Sequence, residues 1–385
     1  MDDEQKITGR LTDRIDSVAE DAWNRCAGKD NPFVQHAFLK ALEDSGSASA
    51  QTGWAPQHLL LENSQGELVG AVPMYLKGNS AGEYVFDHGW AEAFERAGGS
   101  YYPKLQVSVP FTPATGPRLL AAPGALQTQV RGQLVQGCIE AARQLEVSSL
   151  HFTFATQDDW EELGQAGLLL RKDIQFHWQN NGYETFDDFL AALSSRKRKN
   201  IRKERAQAVS DGIDIEVITG DDLQAQHWDA FYQFYTDTGA RKWGTPYLTR
   251  EFFDLIGASM SEKIALVMCR RDGRYVAGAL NFIGGDTLFG RYWGCVEHHP
   301  SLHFETCYYQ AIDLAIALGL QYVEAGAQGE HKLARGYRPV QTLSAHWIAN
   351  TSFRVAVEEY LERERQQIEY GQTLMDKHVP FKNLD

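Results

Sequence analysis

Residues 265–283, ALVMCRRDGRYVAGALNFI, predict a β-hairpin, because two apolar runs flank a polar turn of Arg, Asp and Gly. Residues 59–76, LLLENSQGELVGAVPMYL, have the same form, with Gly66 in the place that Gly273 takes in the later segment. One hairpin signature thus occurs in each half of the chain. This internal repeat is the basis of the fold prediction.

Each hairpin is followed by the pattern of a further strand, a helix and a short closing strand. The predicted helices cover 125–145 and 303–318, and the closing strands cover 147–154 and 320–327. A unit that occurs twice in the same order indicates two similar domains in tandem. We therefore predict an α/β (α+β) protein with domains 1–182 and 183–385 and a cleft between them.

The bulk composition of the 385 residues is that of a globular protein, with 43% hydrophobic residues and a net charge of −14. Such an acidic chain disfavours a general nucleic-acid binder. No apolar run is long enough to span a membrane. The polar start MDDEQKITGR is unlike a signal peptide, and the five cysteines lack CxxC spacing, so we expect a cytoplasmic protein with reduced thiols.

A basic segment, SSRKRKNIRKERA at residues 194–206, contrasts with this acidity, since positions 196–205 hold seven Lys and Arg. If the apolar residues before this segment continued as a single helix, Lys197 would fall on their apolar face, where a charged side chain is unfavourable. A helix break at Ser194–Ser195 removes this conflict. A helix starting there carries cations in its first turn, where an anion is favoured. We predict an anion-binding role; the alternative is a solvated helix paired with acidic surface groups.

Two further segments carry candidate chemistry. CVEHHPSLHFETCYYQ, residues 295–310, lacks zinc-site spacing, so we assign no metal and regard His303 or Glu305 as a general base. EAGAQGEHKLARGYRP, residues 324–339, places polar and charged side chains after a strand of small residues, which suits ligand binding. Helix capping and an ordinary surface loop are the alternatives. A third segment, 101–118, is rich in aromatic residues and proline, which is typical either of a rigid pocket wall or of the hydrophobic core.

The basic segment resembles the (K/R)-x-R-x-N-I-R stretch of the FemABX acyltransferases. GALNFIGGDTLFGRYWG (278–294) and LHFETCYYQAIDLAIALGLQYVEAGAQGEHKLARGYRP (302–339) are similar to FemAB-like proteins of the peptidoglycan biosynthesis/recognition type. NPFVQHAFLKALEDSGS (31–47) and PFTPATGPR (110–118) fit the same group. The resemblance implies two tandem acetyltransferase-like (GNAT) folds and an N-acyl transfer activity.

Within this group, Fem enzymes join an aminoacyl group from tRNA to an amine of a peptidoglycan precursor, whereas ordinary GNAT enzymes use acetyl-CoA. Ordinary GNAT enzymes bind the CoA pyrophosphate with a (Q/R)-x-x-G-x-(G/A) loop before a helix. That loop is missing here, since EHHPSLHFE precedes one predicted helix and LLAAPGALQ precedes the other. The helical arm that Fem enzymes often insert for tRNA is missing too. Acyl-CoA and aminoacyl-tRNA therefore both remain candidate donors, and no cofactor is assigned.

The hypothesis that follows is acylation of an amine acceptor, with Glu305 as the first candidate base and His303 as the second. A phosphate or carboxylate on the substrate would bind side chains from both basic segments and from the matched GRYWG stretch: Arg196, Arg198, Arg202, Lys332, Arg335, Gln328 and Tyr292. Two alternatives are a non-catalytic module that recognises an acidic glycan or cell-wall precursor, and a CoA-dependent acetyltransferase of small amines. The sequence specifies neither the acyl group, the acceptor nor the oligomeric state.

Overall fold

The computed structural model describes residues 6–242, 246–326, 329–377 and 379–382. The chain forms two compact units, each made of two segments. Unit 1 comprises Met1–Asp173 and Gln341–Glu369, and unit 2 comprises Ile174–Val340 and Tyr370–Asp385. The predicted domains 1–182 and 183–385 differ from these units chiefly in residues 341–369, and that predicted boundary stays a prediction.

The described residues form fifteen strands and twelve α-helices. The strands are β1 (Thr8–Thr12), β2 (Ala55–Pro56), β3 (His58–Glu62), β4 (Leu68–Val72), β5 (Met74–Lys77), β6 (Lys104–Val107), β7 (Leu120–Ala121), β8 (Ser149–Ala155), β9 (Leu169–Gln179), β10 (Ile213–Thr219), β11 (Ile264–Arg271), β12 (Arg274–Gly284), β13 (Thr287–Cys295), β14 (Tyr322–Glu324) and β15 (Arg338–Ile348). The helices are α1 (Glu20–Ala27), α2 (His36–Asp44), α3 (His88–Arg96), α4 (Gln127–Gln144), α5 (Gln157–Gln165), α6 (Phe186–Ala192), α7 (Ser195–Ala208), α8 (Ala225–Lys242), α9 (Arg250–Ser259), α10 (Leu302–Phe304), α11 (Gln310–Ala317) and α12 (Thr351–Asp376). A π-helical turn, Glu305–Tyr309, joins α10 to α11, and a 3-10 helix covers Glu330–Arg335.

Unit 1 contains two sets of paired strands. The first has the order β1, β3, β4, β7, and the second has the order β15, β8, β6, β5, β2. Strands β6 and β8 are parallel, and the connection between them includes α4. Helix α4 is amphipathic, and it buries Val130, Leu134 and Cys138 in an apolar core against one face of these strands.

Unit 2 has a sheet in the order β10, β11, β12, β13, β14, β9. Its parallel pair is β13 and β14, and the connection between them runs through α10, the π-helical turn and α11. The apolar core on one side of this sheet includes Trp178, Phe189, Ile312 and Val323. The parallel pair with a helical crossover thus occurs once in each unit.

The repeat predicted from the sequence is confirmed in its main elements. Strands β3–β4 and β11–β12 form the two hairpins, and Gly66 and Gly273 adopt φ of 78° and 76°, a region that glycine enters without a steric penalty. Helix α4 and the α10–α11 run lie within one to three residues of the predicted helices. The π-helical turn inside the second run was not predicted.

Candidate active site

Helix α7 begins where the sequence predicted a break. Helix α6 starts at a capping box formed by Thr185 and Asp188, and the backbone at Leu193 is extended before α7 starts at Ser195. On α7, Ile201 and Ala208 are at most 2% exposed. Because these two residues lie seven positions apart, they define one inward stripe, and the stripe also takes in positions 204 and 205.

Glu204 and Arg205 tie this stripe to the rest of unit 2. The Glu204 carboxylate accepts hydrogen bonds from the Tyr309 hydroxyl and from Arg335 Nη2, the latter at 2.9 and 3.0 Å. Arg205 donates from Nη2 to Glu305 Oε1 at 2.9 Å and from Nε to Oε2 at 3.1 Å. The helix is therefore anchored by charge on the side that faces the π-helical turn.

Glu305 is the buried end of this ion pair, with an exposure of 3%. Besides the two bonds from Arg205, its Oε1 accepts one from Gln310 Nε2 at 2.8 Å. Burial raises the pKa of Glu305, while the Arg205 charge acts in the opposite direction. A cavity of about 500 Å³ borders the pair and is lined by both side chains together with Gln310. Glu305 accepts three hydrogen bonds, two of them from Arg205, so its carboxylate fixes the position of the Arg205 side chain.

Helix α7 carries the cations that the sequence singled out; most lie away from its buried stripe, whereas Lys197, four positions before Ile201, lies beside that stripe. Arg196, Lys199, Arg202 and Lys203 are exposed, and Lys197 and Arg198 are half-buried. Arg202 pairs with Asp187 at 2.9 Å, where both side chains are more than half exposed. Among the described residues, no carboxylate lies within ion-pair distance of the other five cations. We call these six side chains the basic face of α7.

A gap opens in unit 2 where the parallel strands β13 and β14 separate. They pair over three positions only, ending at Phe289 and Glu324, after which β13 continues to Cys295 beside β12. A β-bulge in the β12–β13 pairing lies beside this point, between Leu280 and Asn281. At Gly290 an added Cβ would lie 3.4 Å from the Glu324 carbonyl oxygen, so the backbones approach closely here.

Lys332 occupies the end of β14 at this gap. Its side chain is buried, with 2% exposure, and Nζ donates to the Gly326 carbonyl at 2.9 Å. Burial lowers the pKa of Lys332 to about 8. His177, paired with Glu324 across the strands, has a pKa lowered to about 4 by burial, and the Lys332 charge acts in the same direction. A buried cation thus stands next to neutral imidazole.

His303 lies in an aromatic cluster on the same unit. Its ring contacts Trp293 at 5.3 Å and Tyr308 at 5.5 Å between centroids. The Tyr308 hydroxyl and His331 Nε2 share a hydrogen bond of 2.9 Å. His303 is half-buried and His331 is exposed, so both imidazoles border solvent.

The predicted site residues fall into three groups. Arg196, Arg198 and Arg202 belong to the basic face of α7. Lys332 and Tyr292 lie near the separation of β13 and β14, whereas Arg335 is bound to Glu204 and stacks over Phe304 at 3.4 Å. Gln328 lies outside the described residues.

The sequence reasoning missed Glu204, Arg205 and His177. A signal for the first two exists, since they follow Ile201 by three and four positions and therefore share its buried stripe. His177 offered no such signal, because its neighbours Lys332 and Glu324 come from distant parts of the sequence.

None of the helices among the described residues combines the length and apolarity that a bilayer-spanning helix requires.

Comparisons with known proteins give a family and a fold. The family model FemAB_like, described as peptidoglycan biosynthesis/recognition, matches residues 14–383. No curated protein matches the chain. Among solved structures, FemX is 12% identical over 92% of this chain and 100% of its own, with a TM-score of 0.54.

Two further solved structures have a TM-score of 0.52. The C-terminal domain of a putative lysylphosphatidylglycerol synthetase from Agrobacterium fabrum is 11% identical over 87% of this chain and 93% of its own. The protein L-PGS from Bacillus licheniformis is 10% identical over 86% of this chain and 98% of its own. At these identities the likeness shows the fold alone, and the predicted tandem α/β architecture is confirmed.

Proposed function

Because the chain belongs to the FemAB-like family of peptidoglycan biosynthesis and recognition proteins, we propose that it transfers an activated acyl or aminoacyl group to an amine. The acceptor in this proposal is an amine of a peptidoglycan-type precursor. The observation that carries the proposal is Lys332, a buried ammonium at the place where β13 and β14 separate. A gap between two parallel strands exposes backbone groups and admits an extended substrate.

In the proposed reaction the acyl carbonyl lies at this gap with its oxygen near Lys332 Nζ. The neutral amine attacks the carbonyl carbon, a C–N bond forms, and the oxygen becomes negatively charged. The Lys332 ammonium would stabilise this oxyanion, a contact worth about 3–4 kcal/mol when one donor is lost. Collapse of the intermediate breaks the bond between the carbonyl carbon and the donor, and the donor leaves as the free hydroxyl or thiol with the proton that the amine gives up.

The proton of the attacking amine needs an acceptor, and we assign this role to His303. Glu305, the first candidate from the sequence, already accepts three hydrogen bonds from Arg205 and Gln310. Glu305 would instead position α7 through Arg205. His303 is half-buried among Trp293 and Tyr308 and borders solvent, as a residue that exchanges a proton with substrate must.

The donor would bind through its phosphates to the basic face of α7. Five of its six cations have no carboxylate partner among the described residues, and the first turn of α7 adds free N–H groups. Phosphate is the common feature of the two candidate donors, acyl-CoA and aminoacyl-tRNA. Several cations along one helix suit a donor with several phosphates.

The test is a transfer assay with a UDP-linked muramoyl pentapeptide as acceptor and either radiolabelled aminoacyl-tRNA or acetyl-CoA as donor. The wild-type protein should label the precursor from one of the two donors, and Lys332→Ala should lower the rate by about 100- to 1,000-fold. Precursor that stays unlabelled with both donors, or full activity of Lys332→Ala, would contradict the proposal.

A non-catalytic recognition module is the second candidate, and the occupied state of Glu305 favours it. Such a module would bind the precursor without turning it over. Isothermal titration with the same precursor decides between the two. Binding by both the wild-type protein and Lys332→Ala, together with no transfer from either donor, would establish recognition.

A further inference from the structure

One face of the second strand set of unit 1 is polar although it is buried. Tyr75, Gln106, His151 and His346 stand at paired positions on β5, β6, β8 and β15, and each is at most 2% exposed. The opposite face of the same strands is apolar and packs in the core under α4. Strands of this kind usually bury an apolar face and leave the polar one to solvent.

The charges on this polar face cancel. Lys104 Nζ donates to Glu83 Oε2 at 2.8 Å and also pairs with Asp87. Lys77 Nζ lies 3.8 Å from Glu83 Oε1 and 3.6 Å from the centre of the Trp54 ring. Two amines thus face two carboxyl groups in the interior, and burial lowers the pKa of Lys77 and raises the pKa of Glu83, each to about 7. A charged ligand bound beside them would leave one charge uncompensated, which burial penalises.

Three neutral oxygens on this face lack a hydrogen-bond partner in the part of the chain that the structure describes: Tyr75 Oη, Gln106 Oε1 and Ser108 Oγ. Their side chains are 0%, 0% and 3% exposed, so bulk water does not satisfy them. The amide nitrogen of Gln106 donates to Thr153 Oγ1 at 2.8 Å, which fixes the amide. Native interiors leave few polar atoms unpaired, and three at adjacent positions indicate a bound group.

Of these three residues, Gln106 is paired with Tyr75 and with His151, and Ser108 lies where β6 and β8 separate. The two strands pair up to Val107 and Phe152, and they next meet at the bridge between Gly116 and Ala155. Ser108 is the first residue beyond the pairing. The position is the counterpart in unit 1 of the β13–β14 gap in unit 2, since both follow a three-residue parallel pairing.

We propose that unit 1 holds an interior site for a small neutral amide, formed by Tyr75, Gln106 and Ser108. The hydroxyls of Tyr75 and Ser108 donate to the amide oxygen, and Gln106 Oε1 accepts its N–H. An amide meets all three groups without adding charge. Enclosed protein interiors do take up small molecules of matching polarity. The proposal does not depend on the transfer reaction assigned to unit 2.

The test is saturation-transfer NMR on the full-length protein with acetamide as the probe and acetate as its charged isostere. Acetamide should receive magnetisation and acetate should not, because acetate would bring an uncompensated charge. Tyr75→Phe and Ser108→Ala should each weaken acetamide binding about tenfold, since each removes one donor. Near-UV circular dichroism checks that each variant is folded, so either variant alone suffices.

Tyr337→Phe is the matched control. The Tyr337 hydroxyl belongs to unit 2, is fully buried, and also lacks a hydrogen-bond partner among the described residues. This variant should bind acetamide as the wild-type protein does. Absence of transfer to acetamide would mean that only water occupies the site. That outcome, equal transfer to acetate, or unchanged binding by Tyr75→Phe and Ser108→Ala would each overturn the proposal.

Discussion

Arg202 and Arg205 lie one turn apart on α7 and have opposite surroundings. Arg205 pairs with Glu305, which is 3% exposed, whereas Arg202 pairs with Asp187, whose side chain is 78% exposed. Arg205→Ala leaves a buried carboxylate uncompensated, so the free energy of unfolding should fall by about 3–5 kcal/mol. Arg202→Ala should cost less than about 1 kcal/mol. Urea titration of both variants measures the difference, and equal costs would refute the anchoring role of Glu305.

His177 makes stability depend on pH. Burial lowers its pKa from 6.5 to about 4, so between these values the unfolded chain binds a proton that the folded protein does not. The His177 contribution is complete above pH 6.5 and is lost as pH falls toward 4. When the pH is lowered from about 7 to about 4.5, the free energy of unfolding of His177→Gln should therefore fall less than that of the wild-type protein. His88→Gln, at an exposed position, serves as the control in the same urea titrations.

The pKa of Lys332 predicts how the rate of the transfer reaction falls at alkaline pH. Its pKa of about 8 means that the ammonium is lost as pH rises through that value, and oxyanion stabilisation goes with it. The rate constant kcat should fall above about pH 8. Lys332→Arg keeps the charge at all working pH values, so its alkaline limb should move to higher pH even if kcat is lower. A limb that is identical in both proteins would exclude Lys332 as the titrating group.

At the residue scale, the charged segments could be identified from the sequence, whereas the ion pairs that fix them could not. Glu305 was predicted as a base because it stands at a helix start with histidines nearby. Its partner Arg205 is 100 positions away, and no local pattern reveals such a pair. The roles predicted for Glu305, His303 and Lys332 all stay predictions, since they depend on a bound substrate.

The basic face of α7 makes a prediction at the scale of the element. Arg196→Ala, Lys199→Ala and Lys203→Ala combined should weaken binding of unacylated tRNA or coenzyme A, whichever donor class is used. With tRNA, the slope of log K against log salt should shrink by about 2–3, since each of the three lost phosphate contacts removes about 0.7–0.9. Filter binding at several salt concentrations measures it.

The matched control removes the same charge elsewhere. Lys29, Arg143 and Arg274 are exposed and lie outside α7, and their combined replacement by Ala lowers the net charge equally. Binding should then change little. Equal weakening by both triple variants would show that net charge, and not the basic face, attracts the donor.

Elements with a local cause were predictable. The two hairpins follow from Gly at the turn, and the start of α7 follows from the conflict between Lys197 and its apolar neighbours. The π-helical turn at Glu305–Tyr309 was not predictable. Its side chains satisfy Arg205 and Glu204, which lie on another helix, so its cause is tertiary.

At the scale of the whole molecule, the predicted boundary after residue 182 can be tested by expression of 183–385. This fragment lacks β9, and with it Trp178, which is fully buried in the core of unit 2. It also carries 341–369, which belong to unit 1. We expect no cooperative thermal transition by near-UV circular dichroism, in contrast to the full chain. A sharp transition would establish 183–385 as an autonomous domain.

The division of the chain between the units was beyond sequence reasoning. The repeat signalled two similar halves, and it placed each half in one continuous segment. Strand β15 pairs with β8 through residues such as Ala345 and Ile348, and nothing in its alternating pattern specifies that partner. Strand pairing over such separations is fixed by shape and burial in the folded chain.

The split composition of unit 1 sets the order in which the protein can be completed on the ribosome. Its last segment, Gln341–Glu369, is translated only after all of Ile174–Val340. Until then β8 has no β15 beside it, and the unpaired edge stays open to other chains. The N-terminal part of the nascent chain, although it is made first, therefore completes its strand pairing last.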